Sequence, residues 1–166
     1  MRDGLDGRIA AILDSGPCGV GIESTVLDLS GQWPRLLRPG GVTLEAIARL
    51  CGKVEVVSVA DAGDIRSPGQ LESHYAPGSA VRLNAVRTSP DEVLLAFGPP
   101  LAGAETIYQL SEARDVIEAA SRLFDGLRWL DVAGHGKTIA VMPIPGHGAG
   151  RAINDRLRRA AAPRPG

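Results

Sequence analysis

The chain has 166 residues, of which 44% are hydrophobic and 22% charged, and its formal net charge is −1 at pH 7. This is enough apolar material for one ordinary domain or two small ones. The balance of 18 basic against 19 acidic side chains argues against the strongly positive surface of a typical nucleic-acid-binding protein. No apolar run approaches the roughly 18 residues that a membrane span needs. We therefore expect a soluble, cytoplasmic protein with no membrane partner.

The two cysteines, Cys18 and Cys51, lie far apart in the sequence. They form no Cys-x-x-Cys pattern and have no His at ligand spacing, so the pattern favours neither a zinc site nor a disulfide framework. We predict two buried, reduced thiols and no metal site.

Polar residues interrupt the first strand-like segment. Residues 20–29 are rich in β-branched residues, yet Glu23, Ser24 and Thr25 stand together in the middle, and Arg38 follows after a turn. Hydroxyls on one extended segment and a guanidinium on the next predict a polar cluster on a strand framework. A solvated sheet edge is the alternative explanation for the same pattern.

A helix and a strand are predicted next. Thr43 is a suitable N-cap, the apolar spacing that follows is helical, and Gly52 is a suitable end. Residues 54–59 then read as a buried valine-rich strand, after which periodicity is lost. We place a domain boundary there, with a linker over residues 61–79.

The second half alternates strands and helices, which predicts a small α/β domain with a largely parallel sheet. Ser111 is a candidate cap for a long helix in which Gly126 marks a possible break. In the last helix, residues 149–161, an apolar face is predicted to point inward and Arg151, Arg158 and Arg159 outward. The predicted strands cover residues 81–86, 93–97, 105–110 and 138–142.

A glycine-rich turn, residues 146–150, precedes the last helix. Its backbone N–H groups could face an anion, and a turn without a ligand explains the glycines equally well. His135 and His147 have no carboxylate at useful spacing, and we assign them no chemistry.

Three motifs in order, at residues 16–41, 67–77 and 144–160, resemble the threonylcarbamoyl-adenylate synthases, the YrdC-like family. The resemblance implies an α/β fold: an incomplete YrdC-like segment over residues 1–60, the linker over 61–79, and a small Rossmann-like, three-layer domain over 80–166. In that family a long part carrying Lys and Arg phosphate ligands precedes the first motif. We therefore expect the chain by itself to be inactive.

The resemblance also implies a reaction. Members of the family convert L-threonine, bicarbonate and ATP into threonylcarbamoyl-AMP and pyrophosphate, and the product later modifies an adenosine of tRNA. ATP is thus a substrate, with Mg²⁺ accompanying it. By family motif Ser24 maps to the L-threonine site and Arg38 to the ATP site, while His74 and Tyr75 map to a linker loop over the nucleotide. No catalytic nucleophile is implied.

Partners implied by the resemblance are tRNA-modification proteins and tRNA, with binding of double-stranded RNA. The linker departs from the family pattern because residues 70–72 are Gln-Leu-Glu where the family usually has a more basic stretch. Two other functions remain open: a non-catalytic RNA-binding module, and a structural or regulatory α/β module. Salt-dependent tRNA binding would favour the first, and no response to ATP, threonine or tRNA would favour the second.

Overall fold

A computed structural model describes residues 7–13, 16, 18–57 and 77–163. Most of the predicted linker, including His74 and Tyr75, lies outside the described residues. The described chain forms two sheets and three helices, with these elements in order: β1 Val26–Asp28, β2 Arg35–Arg38, α1 Leu44–Cys51, β3 Glu55–Val56, β4 Val81–Arg82, β5 Glu92–Phe97, β6 Ile107–Ser111, α2 Val116–Ala133, β7 Thr138–Val141 and α3 Ala149–Ala161.

The first sheet has the order β1-β2-β3. β1 pairs antiparallel with β2, and β2 pairs parallel with β3 across the connection through α1. The predicted cap of α1 is confirmed, because the Thr43 side chain accepts a hydrogen bond from the Ala46 N–H at 3.2 Å. Gly52 ends the helix with φ of 74°, a conformation that glycine adopts without a steric penalty.

The second sheet has the order β4-β7-β5-β6, and all its described pairings are parallel. β5 is central and is buried from Val93 to Phe97, as expected for a strand covered on both faces. Helices α2 and α3 contact the sheet and each other. The α/β fold class and the parallel sheet predicted from the sequence are confirmed.

Several local predictions are wrong. Cys18 and Cys51 are both exposed free thiols. The valine-rich strand is two residues long where described, and Val56 is 55% exposed because it lies on the edge strand β3. Its predicted end at Val59 lies outside the described residues.

Helices α2 and α3 also differ from expectation. Asp115, not Ser111, caps α2, since its carboxylate accepts from the N–H groups of Ile117 and Glu118. The helix continues through Gly126, where a Cβ would come within 2.7 Å of the Tyr108 ring, so the glycine permits close packing on the sheet. Arg159 of α3 is buried rather than outward-facing.

Residues just ahead of β1 lie against the second sheet's helices. Ile22 packs on the main hydrophobic core, and a Cβ on Gly21 would come within 2.7 Å of the Ala120 backbone oxygen in α2. Gly21 also has φ of 65°, which favours glycine. This approach places residues 23–25 beside the helices of the second sheet.

Candidate functional site

Ser24 and Arg38 contact each other directly. The Arg38 Nε donates to the Ser24 backbone oxygen, and Nη2 donates to the Ser24 hydroxyl, each at 3.2 Å. The antiparallel pairing of β1 and β2 brings them together, because Val26 lies opposite Arg38. The structure thus joins two residues that the sequence assigns to different substrates.

Two short segments, residues 23–25 and 39–42, hold this pair; we call them the site loops. The Gly41 N–H donates to the Glu23 backbone oxygen at 3.0 Å. The Thr25 hydroxyl donates to the Val42 oxygen at 2.5 Å and accepts from the Val42 N–H at 3.2 Å. These reciprocal bonds fix the site loops against one another.

Gly40 permits this close approach. It is buried, and a Cβ added to it would overlap the backbone of Glu23, Ser24 and Thr25. The glycine is therefore required by backbone packing rather than by its dihedral angles. Any larger residue would have to move the loop that carries Ser24.

The Ser24 hydroxyl is suited to recognising an acceptor. Ser24 is exposed, and because Arg38 donates to its oxygen, the hydroxyl proton can point to a second group. A neighbouring guanidinium strengthens such a donor and attracts anions. The pair can bind a carboxylate or phosphate.

Arg156 was not identified from the sequence, although it belongs to the same cluster. Its side chain is 1% exposed, and its Nε donates to the Glu23 carboxylate at 2.7 Å. Its Nη2 donates to the Pro39 oxygen at 3.2 Å. The sequence did contain a signal for its burial, because Arg156 lies three residues after Ile153 and one before Leu157, on the apolar face of α3.

Asp155 completes this buried charge network. Its carboxylate accepts from Arg156 Nη1 at 2.5 Å and from Arg159 Nε at 3.1 Å. Buried charges are retained when they are paired and hydrogen-bonded. Arg159 is therefore a partner within the network rather than a surface charge.

The glycine-rich turn before α3 contacts a carboxylate of the chain itself, the exposed side chain of Glu45. The Gly148 N–H donates to Glu45 Oε1 at 3.4 Å, and Arg151 lies 3.6 Å from the same oxygen. The pKa of Glu45 is lowered, chiefly by its own backbone N–H, against the opposing effect of burial, and then by Gly148 and Arg151. The anion facing this turn in the structure is thus a side chain of α1.

A cavity of about 320 Å³ lies beyond that turn, at the carboxyl ends of β4 and β7. Its polar lining comes from Asn84, Arg151, Asn154 and Arg158. Within residues 7–13, 16, 18–57 and 77–163 no group of three or more His, Cys, Asp or Glu could hold a metal ion. No helix in the described part has the length and apolarity needed to cross a membrane.

Comparison with known proteins gives consistent results. The family model described as "Threonylcarbamoyl-AMP synthase, C-terminal domain" matches residues 42–162. The match begins upstream of the predicted linker, and the domain boundaries at residues 60 and 80 stay a prediction.

Curated relatives extend the similarity to nearly the whole chain. A threonylcarbamoyl-AMP synthase of Bacillus subtilis (strain 168) is 33% identical over 96% of this chain and 51% of its own length. One from Pyrococcus abyssi is 32% identical over 93% of this chain and 50% of its own. The chain spans about half the length of these relatives.

Solved structures agree with the fold. The crystal structure of P. abyssi Sua5 complexed with L-threonine has a TM-score of 0.81 and 28% identity, covering 96% of this chain and 52% of that one. Another structure of that protein, with an adjacent His and Tyr both replaced by Ala, has a TM-score of 0.76 and 27% identity over 93% of this chain and 49% of that one. With a family match over most of its length and relatives of this similarity, the chain belongs to the threonylcarbamoyl-AMP synthase family.

Proposed function

We propose that this chain is part of an L-threonylcarbamoyladenylate synthase and supplies Ser24 to the L-threonine site and Arg38 to the ATP site. The observation that carries the proposal is the two-bond contact between these residues in a chain of this family. In the reaction, the threonine amine attacks the carbon of bicarbonate and water is lost. A carbamate oxygen then attacks the α-phosphorus of ATP, and pyrophosphate leaves.

Ser24 would hold the amino acid. Its exposed hydroxyl, oriented by Arg38, donates to the threonine carboxylate or to the threonine hydroxyl. Fixing the amino acid in one orientation holds its amine where the carbamate forms and is adenylylated. The crystal structure of the related P. abyssi Sua5 is a complex with L-threonine, which supports this substrate class.

Arg38 would attract and orient the nucleotide. Phosphoryl-group chemistry depends mainly on positioning and charge stabilisation, and a planar guanidinium suits phosphate oxygens. Because Arg38 also contacts Ser24, it places the two substrates next to each other. Mg²⁺ would arrive with the phosphates.

The linker would close over the nucleotide. This chain contains one adjacent His-Tyr pair, His74-Tyr75, and an imidazole beside a phenol offers hydrogen bonds and a stacking face. A structure of P. abyssi Sua5 with an adjacent His and Tyr both replaced by Ala supports the choice of this pair as candidate functional residues. The assignment of both residues to ATP binding stays a prediction.

The wider setting follows from the proposed reaction. We propose that residues 1–60 belong to the catalytic domain and residues 80–166 to the C-terminal domain of a two-domain enzyme. The product is consumed in tRNA modification, so cytoplasmic modification proteins and tRNA are the proposed partners. The expected inactivity of this chain by itself stays a prediction, checked by assaying threonylcarbamoyl-AMP.

Ligand titration followed by NMR tests the L-threonine site. Titrating the chain with L-threonine should give saturable shifts at the amides of the site loops, and L-valine should give much weaker ones. A site that hydrogen-bonds a hydroxyl discriminates strongly against an analogue lacking it. Ser24→Ala should weaken binding at least about tenfold, corresponding to one lost hydrogen bond.

Ser30→Ala is the matched control. Ser30 is also exposed, follows β1, and donates to Asp28 at 2.6 Å rather than to the site pair. Equal losses in the two variants, or no L-threonine response in folded protein, would contradict the proposed site. Salt-dependent tRNA binding without such a response would favour the RNA-binding alternative.

A further inference from the structure

The Arg156 guanidinium contacts both site loops. Through Glu23 it bonds the residue next to Ser24, and through the Pro39 oxygen it bonds the residue next to Arg38. Glu23 and Pro39 lie 133 and 117 positions before Arg156 in the sequence. One side chain of the last helix therefore links the immediate neighbours of both residues of the proposed substrate site.

The guanidinium is itself held in a fixed orientation. Asp155 accepts from its third nitrogen and is in turn bonded to Arg159. With the Arg156 side chain 1% exposed, water cannot readily replace these partners. An arginine fork uses its several donors in a rigid plane, so it sets the spacing between two acceptors more strictly than a lysine would.

We propose that Arg156 is a positioning residue for the L-threonine and ATP site, acting through Glu23 and Pro39 on Ser24 and Arg38. The inference rests on the proposed function, because it assigns to the second sheet's last helix a role in that same site. Arg156 acts on substrate affinity by keeping the site loops at the separation at which Arg38 reaches Ser24.

A second ion pair joins the same parts of the chain and supplies a control. Arg151, also on α3, lies 3.6 Å from Glu45 of α1, and these side chains are 31% and 48% exposed. This pair bonds neither site loop. A residue that merely fastens α3 to the first sheet should behave alike at positions 151 and 156, whereas a positioning residue should not.

Amide hydrogen exchange in the 166-residue chain tests the proposal without substrate. The Gly41 N–H, bonded to the Glu23 oxygen, and the Val42 N–H, bonded to Thr25, report on the site loops. In Arg156→Met we expect both to exchange at least about tenfold faster, with core amides such as Ile139 changed by less than about twofold. Arg151→Met should leave all three within about twofold.

Arg156→Lys keeps the charge but loses the several donors of the guanidinium plane. The exchange rate of the Gly41 amide in this variant should therefore lie between the rates in the parent chain and in Arg156→Met. Equal acceleration at Gly41 and Ile139 in Arg156→Met would indicate global destabilisation and overturn the proposal. Unchanged exchange at Gly41, or the same change in Arg151→Met, would overturn it too. If Arg156→Met fails to fold, the same comparison made with Arg156→Lys and Glu23→Gln decides.

L-threonine titration connects this result to the site. Arg156→Met should weaken L-threonine binding at least about fivefold, while Arg151→Met leaves it unchanged. Faster loop exchange with unaltered L-threonine affinity would refute the positioning role. If the parent chain shows no L-threonine response, the proposed function fails, and the exchange data still decide whether Arg156 orders the site loops.

Discussion

Arg38 reaches Ser24 with two nitrogens, one bonded to the backbone oxygen and the other to the side-chain hydroxyl, both at 3.2 Å. The guanidinium therefore contacts both the backbone and the side chain of Ser24, at the proposed L-threonine site. Arg35, three residues earlier on β2, lies opposite Asp28, whereas Arg38 lies opposite Val26. Simple alternation along the strand predicts that the two arginines point to opposite faces, but the pairing shifts register between Val26 and Leu27, so the contact with Ser24 distinguishes them and parity does not.

Arg38→Ala should cost far more activity than Arg35→Ala, because Arg38 donates both hydrogen bonds to Ser24. In a protein extended to the length of the curated relatives, the first should lower kcat/KM for ATP by about 2–4 kcal/mol of transition-state stabilisation, taking a single preorganised donor as guide. The second should cost less than about 0.5 kcal/mol, as for a surface charge. Equal losses would contradict the proposed role of the contact between Arg38 and Ser24.

Gly40→Ala should destabilise the first sheet and weaken L-threonine binding. The added methyl overlaps the backbone of Glu23 and Ser24, and overpacking of this kind costs about 1–3 kcal/mol. Urea unfolding with parallel L-threonine titration measures both effects. Gly31→Ala is the control, since the nearest atom to its new Cβ is 3.8 Å away; a similar loss there would contradict the packing explanation.

The stability of the second sheet should fall in acid through Glu92. The Arg82 guanidinium bonds both of its carboxylate oxygens, at 2.5 and 2.7 Å, and lowers the pKa of Glu92 from 4.5 to about 2, with burial opposing and the Ser89 N–H assisting. Because the folded pKa is depressed, this stabilisation is complete above about pH 4.5 and is lost as pH falls towards 2.

Glu92→Gln should remove that part of the acid dependence. At neutral pH we expect a loss of about 1–2 kcal/mol, discounted for screening because the Arg82 side chain is 42% exposed. Asp125→Asn, which breaks an exposed pair with Arg128, should change stability by less than about 0.5 kcal/mol. Denaturant unfolding between pH 2 and pH 7 distinguishes them; parallel pH profiles for Glu92→Gln and the parent would refute the assignment.

Residues 81–166 should fold by themselves, whereas residues 1–60 should be marginal. The main core is built from the second sheet with α2 and α3. In the described part of residues 1–60, the buried apolar residues are Leu36 and Ile47. Hydrogen exchange should be slow throughout β5 and β7 and faster in β1 and β2. Equally slow exchange in both sheets would contradict this prediction.

Local chemistry along the chain determined the helices and the fold class. The bounds of α3, the Thr43 cap and the Gly52 end follow from side-chain periodicity and capping, which act within a few residues. The parallel sheet followed from the alternation of strands and helices. The order of the motifs was enough to identify the family.

Tertiary structure decided which charges are buried and which residues form the site together. The apolar face of α3 was readable from the sequence, but of the two carboxylates that pair with the buried Arg156, one is adjacent and the other, Glu23, lies 133 positions away. Arg159 was predicted to face outward although its partner, Asp155, lies only four residues earlier, because sequence spacing does not show that neighbouring elements cover this part of α3. Cys51 was predicted to be buried, and only the packing of α1 shows that its thiol is exposed. Gly40 and Ser24 are likewise close because two strands pair, and only that pairing shows why glycine is needed.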